Sequence, residues 1–395
     1  MRTTTMRRVA VLAAALLLAG CTSTKSGTGA NGTAGPSGTA GANPFFNRAD
    51  YDRQRAELEA TAKGDPSTPW LQAVDPKYVD TSKYAKPAGN WRICFSNAGV
   101  GNPWRVTGMT TMRAEAKLHP QIASFTVADA GSKDDKQIAD MSDLLAKGCD
   151  PLIVSPNTTA ALTPAVEQAC RSGIPVVVFD RGVNTTCPVT FVHAVGGYAF
   201  GASAAQFITS HVKKGAKVLA LRILPGVDVL ENRWAGAKVV FDDAKVNVVG
   251  AEFTNGDPAK TKSIVSDYLQ RFGHLDGVWM DAGATTVAAA EAFEDAGQPV
   301  PPIDGEDEQD FLELWQKKGL TAIAPTYPVY MWRTALIAAT DILSGQQVPS
   351  EWVLPQPVIT ADNLSQYIRP GMPPLFYATC GCQQLPGFPR DWGGK

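Results

Sequence analysis

The sequence predicts an α/β protein of two similar, doubly wound parallel-sheet lobes, and three observations point to it. From Trp91 onward, short apolar runs alternate with amphipathic stretches, and Gly, Pro, Asn or Asp separates one from the next. About five such units precede Ala194 and a comparable set follows it, which reads as two halves of one design. Apolar runs of strand length between amphipathic helices signal β-α units, whose strands lie parallel. With 395 residues, 44% of them hydrophobic and 19% charged, the chain is large enough for two cores.

Each segment has its own reason, beginning at the N-terminus. Arg7 and Arg8 precede an apolar run that closes at Leu17-Leu18-Ala19-Gly20-Cys21. The run is too short for a comfortable membrane span and has the basic start, apolar middle and small-residue exit of a secretory signal. It resembles a lipoprotein lipobox. The resemblance implies a signal peptide over residues 1–20, cleavage before Cys21, acylation of its thiol, and a mature chain anchored outside the cytoplasmic membrane. An ordinary cleaved signal or a short N-terminal helix are the alternatives. Residues 21–43 follow, nearly all Gly, Ala, Ser, Thr and Asn after the cysteine, and cannot bury enough apolar area to offset the entropy of ordering. They form a tether with a root-mean-square span of about 25 Å. Residues 44–89 make an extension with a charged helical stretch near Asp50 to Lys63, expected to pack against the body.

The first series of strands is expected at Trp91 to Ser96, Ile122 to Ala128, Leu152 to Ser155, Ile174 to Asp180 and Val189 to His193. The second is expected at Lys217 to Ile223, Val246 to Phe253, Gly277 to Asp281, Leu320 to Pro325 and Val353 to Thr360. Asn102 before Pro103 reads as a helix N-cap with proline in the first turn, and Ser132 with Asp135 as a capping box. Ile138, Met141, Leu144 and Leu145 then recur on one helical face, and Gly148 stands just past its end.

Composition excludes several functions. A net charge of −2 without a dense Lys/Arg run removes the footprint of a nucleic-acid binder. No second long apolar stretch exists, so the lipid is the expected membrane contact. Four histidines in no cluster, and no Gly-x-Ser-x-Gly or P-loop, lead us to expect no metal and no cofactor. The one Gly-x-Gly-x-x-Gly match, Gly27 to Gly32, lies in the tether with no strand before it. Asp304, Glu306, Asp307, Glu308 and Asp310 offer carboxylates, but a glycosidase needs two that face one bond from opposite sides. They are expected to form a solvated acidic loop bordering a pocket, and the protein not to be an enzyme.

Setting Cys21 aside leaves six of the seven cysteines, an even number for an oxidising compartment. Cys170 and Cys187 flank one predicted strand, so a bridge between them could join a helix end to the loop after that strand; two separate buried thiols are the alternative. Cys380-Gly381-Cys382 fits neither a zinc knuckle nor Cys-x-x-Cys and reads as a staple in the tail.

In open parallel sheets, ligands collect outside the carboxyl ends of the strands. Those ends hold Asn102-Pro103-Trp104, Ser155-Pro156-Asn157 and Asp180-Arg181 in the first half. In the second they hold Asp228 to Arg233, Asp281, Asp307 and Thr326-Tyr327. Carboxylates accept from hydroxyls, guanidinium forks donate to adjacent oxygens, and an indole face covers the C–H surface of a sugar ring. Together they suit a neutral polyhydroxylated ligand.

From about Trp91 to Thr360 the chain resembles type I periplasmic binding proteins of the ribose and galactose class, the receptors of ABC sugar importers. The residues that carry the resemblance are Asn102-Pro103-Trp104, Gly173-Ile174-Pro175-Val176-Val177-Val178-Phe179-Asp180-Arg181, and Arg233-x-x-Gly236. It implies that Trp104 stacks on the ligand ring and that Asp180, Arg181 and Arg233 bind its hydroxyls. Asn102, Ser155, Asp281, Asp307 and Thr326 fall at further ligand positions, Ser155 standing where an Asn is frequent and Glu306 where an aromatic is. The family fold implies three hinge crossings near Val195, Thr326 and Pro355. The lobes then comprise 90–194 plus 327–354 and 195–326 plus 355–370, with a tail over 371–395. The implied function is a monomeric, lipid-anchored receptor that delivers a small carbohydrate to the transmembrane permease subunits of an ABC transporter. A sensory sugar or autoinducer receptor signalling to a membrane partner is the alternative. Alanine at Trp104 or Arg233 is expected to weaken sugar binding roughly tenfold or more with little effect on the melting temperature.

Overall fold

The β-α alternation is realised twice in the computed structural model, which describes residues 45–395. The signal segment, Cys21 and the tether lie outside the described residues. The extension opens with α1 (Arg48–Glu59), capped by the Asn47 side chain, and reaches β1 (Tyr78–Val79). The first lobe alternates β2 (Trp91–Asn97), α2 (Pro103–Ala116), β3 (Ile122–Asp129), α3 (Asp134–Ala146), β4 (Leu152–Ser155), α4 (Thr159–Arg171), β5 (Val176–Phe179) and β6 (Thr190–Ala194). The second holds α5 (Gly197–His211), β7 (Lys217–Arg222), α6 (Asp228–Ala244), β8 (Asn247–Phe253), α7 (Pro258–Phe272) and β9 (Gly277–Met280). It continues with α8 (Thr286–Asp295), β10 (Ile303–Asp304), α9 (Gln309–Lys318) and β11 (Ala322–Pro325). The chain returns to the first lobe for α10 (Met331–Leu343), β12 (Val348–Pro349) and β13 (Glu351–Leu354), then crosses back for β14 (Val358–Ile359).

Each lobe is a six-stranded sheet, in the order β13-β6-β5-β4-β2-β3 and β14-β11-β10-β9-β7-β8, and β1 and β12 form a separate ribbon. The first sheet is parallel throughout; in the second only the edge strand β14 runs antiparallel. Helices cover both faces of each sheet, so β4 and β5 are buried at every residue, as continuous apolar runs require. In β5, Val177 and Phe179 face the cluster around Trp332, while Val176 and Val178 face the one around Met141 and Leu144. The fold is that of two doubly wound α/β lobes joined by three crossings, as the sequence predicts.

The crossings are bonded to one another. The amide of Gly196, on the first, donates to the Gln356 side chain on the third at 2.9 Å. The Thr326 hydroxyl, on the second, donates to the Pro357 carbonyl at 2.7 Å. Where α5 and α6 cross nearby, a Cβ on Gly201 would stand 1.8 Å from the Arg233 carbonyl. Gly201→Ala is therefore expected to lower unfolding free energy by about 1–3 kcal/mol in urea titrations, against little change for Gly101→Ala, whose surroundings are open.

Several local expectations give way. The Ser132–Asp135 capping box does not form: α3 starts at Asp134 after Lys133, with no side-chain cap, and Ser132 has φ 62°. Instead the Asp134 carboxylate accepts from Asn157 and Thr158 of the next loop. On the same helix Met141 and Leu144 are buried, but Ile138 is exposed and the buried polar Gln137 takes an inward place. The run from Val353 to Thr360 is two strands, one in each sheet, because Pro355 and Pro357 lie between them and proline cannot donate to a ladder.

Disulfides join Cys94 to Cys149, Cys170 to Cys187 and Cys380 to Cys382. The second links the end of α4 to the loop after β5, with Cα atoms 6.1 Å apart. The tail folds back on the body and touches both lobes. The amide of Asp310 in α9 donates to Pro374, and that of Ala378 donates to Asp307. On the first lobe, the Trp392 indole donates to the Thr111 hydroxyl of α2 at 3.0 Å.

Candidate functional site

The carboxyl ends of both sheets face a cleft of about 470 Å³, a size suited to a small molecule. Asn102, Trp104, Asp180, Arg181 and Arg233 line it, whereas Ser155, Asp281, Asp307 and Thr326 do not. Asn102 caps α2, its Oδ1 accepting from the Arg105 amide at 2.9 Å, and this fixes the first turn of a helix aimed at the cleft. Trp104 is nearly buried: its Nε1 donates to the Tyr327 carbonyl at 2.8 Å, and its ring packs against Tyr327 and Trp332.

Arg105, which the sequence reading did not single out, organises the first lobe's side. Its Nη2 donates to Asp180 Oδ2 at 2.6 Å, and its Nη1 to Asn97 Oδ1 at 3.2 Å and Ser155 Oγ at 3.1 Å. Ser155 therefore lies behind the cleft as a support of this pair. Asp180 adopts φ 69°, a left-handed conformation that an aspartate tolerates and that turns the chain sharply at the strand end. Its other oxygen accepts from the Tyr327 hydroxyl at 3.2 Å. Arg181 donates to the Asn157 carbonyl; its buried Nε lies 4.0 Å from Asp180 Oδ2 and has no hydrogen-bond partner among the described residues.

Across the cleft, Arg233 Nη1 donates to the Asp281 carbonyl at 2.6 Å and to Glu306 Oε1 at 2.8 Å. Its guanidinium lies 3.7 Å over the Phe200 ring, and its buried Nε has no hydrogen-bond partner among the described residues. Glu306 and Tyr377 complete this side; the Tyr377 hydroxyl donates to Glu308 Oε1 at 2.8 Å. Tyr377 comes from the tail, so a segment beyond the family resemblance contributes to the wall. Asp281 accepts from the Ile223 amide, Asp307 accepts from the Thr379 amide at 2.6 Å, and Thr326 is bonded within the hinge.

The acidic loop is not solvated, contrary to the sequence reading: Asp304, Glu306, Asp307 and Glu308 are all buried beneath the cleft and the tail. Burial pushes Asp281 and Asp307 up to about 7, and holds Asp304 and Glu308 well above the usual carboxylate range. The folded state thus binds these protons more tightly than the unfolded chain, whose aspartates titrate near pH 3.9. The stability this confers is complete below about pH 4 and is lost as pH rises to about 7. Urea titrations between pH 5 and 7 should show falling stability, and Asp307→Asn should flatten the slope by about 1.4 kcal/mol per pH unit. An identical slope in the variant would remove Asp307 as a source.

Among the described residues no group of His, Cys, Asp and Glu is arranged to hold a metal ion, and no helix is long and apolar enough to cross a membrane. His193 is tied structurally, one ring nitrogen to the Ala194 carbonyl and the other to Glu351.

Two lobes that close polar strand ends over a cleft define a ligand-binding class of protein. Residues 93–347 match the family described as periplasmic binding protein domain, and the chain belongs to that family. It is a binding protein of the type I fold and not an enzyme. The ribose import binding protein RbsB of Bacillus subtilis is 29% identical over 275 residues, 68% of this chain and 89% of that one. The D-xylose-binding periplasmic protein of Escherichia coli is 24% identical over 247 residues, covering 59% of this chain and 72% of its own. Among solved structures, a solute binding protein from Bacillus halodurans with bound myo-inositol superposes with a TM-score of 0.64 at 18% identity, over 72% of this chain and 99% of that one.

Proposed function

We propose that this protein is a lipid-anchored receptor that closes on a small carbohydrate and delivers it unchanged to the permease subunits of an ABC importer. The observation that carries this reading is the pairing of guanidinium and carboxylate in each lobe, Arg105 with Asp180 and Arg233 with Glu306, across one cleft that Trp104 and Tyr327 also line. Guanidinium forks and carboxylates complement vicinal hydroxyls, and aromatic faces complement C–H surfaces. The pairs also neutralise one another, which suits an uncharged ligand. A ligand bonded to both lobes favours the closed arrangement over any open one, because only closure brings both sets within reach. The names of the relatives, which specify ribose and xylose, agree with this class of ligand.

Thermal-shift titration of the full chain with pentoses, hexoses and inositols tests the reading. At concentrations far above Kd, binding to the folded state alone raises the melting temperature. A rise with at least one sugar is expected; no rise with any would overturn the carbohydrate assignment. Cys21→Ala should move the protein from the membrane to the soluble fraction, and unchanged membrane retention would remove the anchor.

A further inference from the structure

A second polar chamber of about 610 Å³ adjoins the cleft and shares Asp180, Arg181, Asp228, Val229 and Tyr327 with it. The N-terminal extension supplies part of its wall, through residues of α1 and the turn before it, including Asn47, Arg53 and Gln54. That wall is built in place: Gln54 Oε1 accepts from the Tyr198 and Ala199 amides at the start of α5, and Phe46 and Tyr51 pack on the Tyr198 ring. Where the two spaces meet, the lobes touch through side chains, the Thr159 hydroxyl donating to Asp228 Oδ2 at 2.8 Å.

Helix α6 serves both spaces with consecutive residues, Arg233 at the cleft and Asn232 at the chamber. Most charges around the chamber are paired: Arg53 pairs with Asp50 and lies 3.7 Å from Glu351, and Asp180 pairs with Arg105 and stands 4.0 Å from Arg181, while Asp228 accepts from Thr159. Neutral groups there are unspent. Among the described residues the side-chain amides of Asn184 and Asn232, both lining the chamber, make no hydrogen bond within the protein. An amide offers donors and an acceptor together, which is what a hydroxyl needs.

Resting on the carbohydrate reading, we propose that the ligand is a disaccharide or comparable glycoside: one ring occupies the cleft between Trp104 and Arg233, and a second polyhydroxylated unit occupies the chamber walled by α1. The extension is then part of the binding site, and entry of the second unit displaces the Thr159–Asp228 contact.

Calorimetric titration of the full chain with D-xylose and xylobiose, and with D-galactose and a galactobiose, tests this. For at least one pair the disaccharide should bind about tenfold or more tightly than its monosaccharide. The double variant Asn184→Ala/Asn232→Ala should weaken that disaccharide by about tenfold and the monosaccharide by less than about twofold. Monosaccharides binding as tightly as their disaccharides, or a variant that weakens both alike, would overturn the second subsite and leave the sugar receptor standing. Binding of none of these four sugars would overturn the subsite for these glycosides, and the receptor reading falls with it only if the panel of pentoses, hexoses and inositols gives no thermal shift either.

Discussion

Arg105→Ala should lower the unfolding free energy by about 3–5 kcal/mol and abolish detectable sugar binding, because it strands a buried carboxylate. Asp180 and Arg105 are both nearly inaccessible, and the guanidinium is the nearer of two cations at Asp180 Oδ2, at 2.6 Å against 4.0 Å for Arg181 Nε. Without it, Asp180 keeps hydrogen bonds from Ser155 and Tyr327 and the more distant Arg181 guanidinium at 4.0 Å, but loses the cation bonded to it directly. Asn97 and Ser155 would lose a donor as well. Arg105→Lys separates charge from geometry: it keeps the cation, cannot reproduce a fork that reaches Asn97, Ser155 and Asp180 at once, and should fall between wild type and alanine. Urea unfolding and calorimetry check both quantities. Wild-type stability in Arg105→Ala would show that Asp180 has no need of the pair.

Trp104→Ala should cost about 3–5 kcal/mol of stability in addition to weakening the sugar. Here the structure revises the expectation of an unchanged melting temperature, which treats the indole as an exposed platform. The ring sits 5.5 Å from Trp332 and 5.6 Å from Tyr327, and its N–H holds the Tyr327 carbonyl on the second hinge crossing. Removing it opens a void in the core under α2 and frees a hinge carbonyl. Trp104→Phe retains an aromatic face and loses the hydrogen bond, so its stability loss should be smaller, about 1 kcal/mol from the bond plus a packing contribution. A melting temperature equal to wild type in Trp104→Ala would return Trp104 to the role of a surface platform.

The repeating β-α pattern was legible because strands buried on both faces must be continuously apolar, as at Val176-Val177-Val178-Phe179, and helices between them must be amphipathic. Asn102, Trp104, Asp180, Arg181 and Arg233 were legible for a related reason: they stand at strand ends or in the first helical turns, where chain order alone fixes which side of a sheet they reach. Strand β10 escaped notice because it is two residues long, between Pro302 and Gly305, and carries the aspartate Asp304. Arg105 escaped because a cation in an amphipathic helix reads as solvated until the opposing carboxylate is known. Its position directly after Trp104, bonded to the N-cap that was recognised, is the signal that could have found it. Nothing near in sequence could have announced Tyr377: it reaches Glu308 across 69 positions, carried there by a tail with no periodicity of its own. The same tail converts an acidic loop, hydrophilic by composition, into a buried floor.

That tail also decides how the two jaws can part. It is stitched to itself, the Lys395 amide donating to the Gly371 carbonyl, and it wedges between α2 of one lobe and α9 of the other. A wedge bonded to both sides restrains that flank of the gap, so separation should be greatest away from it. A receptor hinged this way has a one-sided doorway, its guest entering and leaving on the side away from the C-terminal segment, which serves as the doorpost.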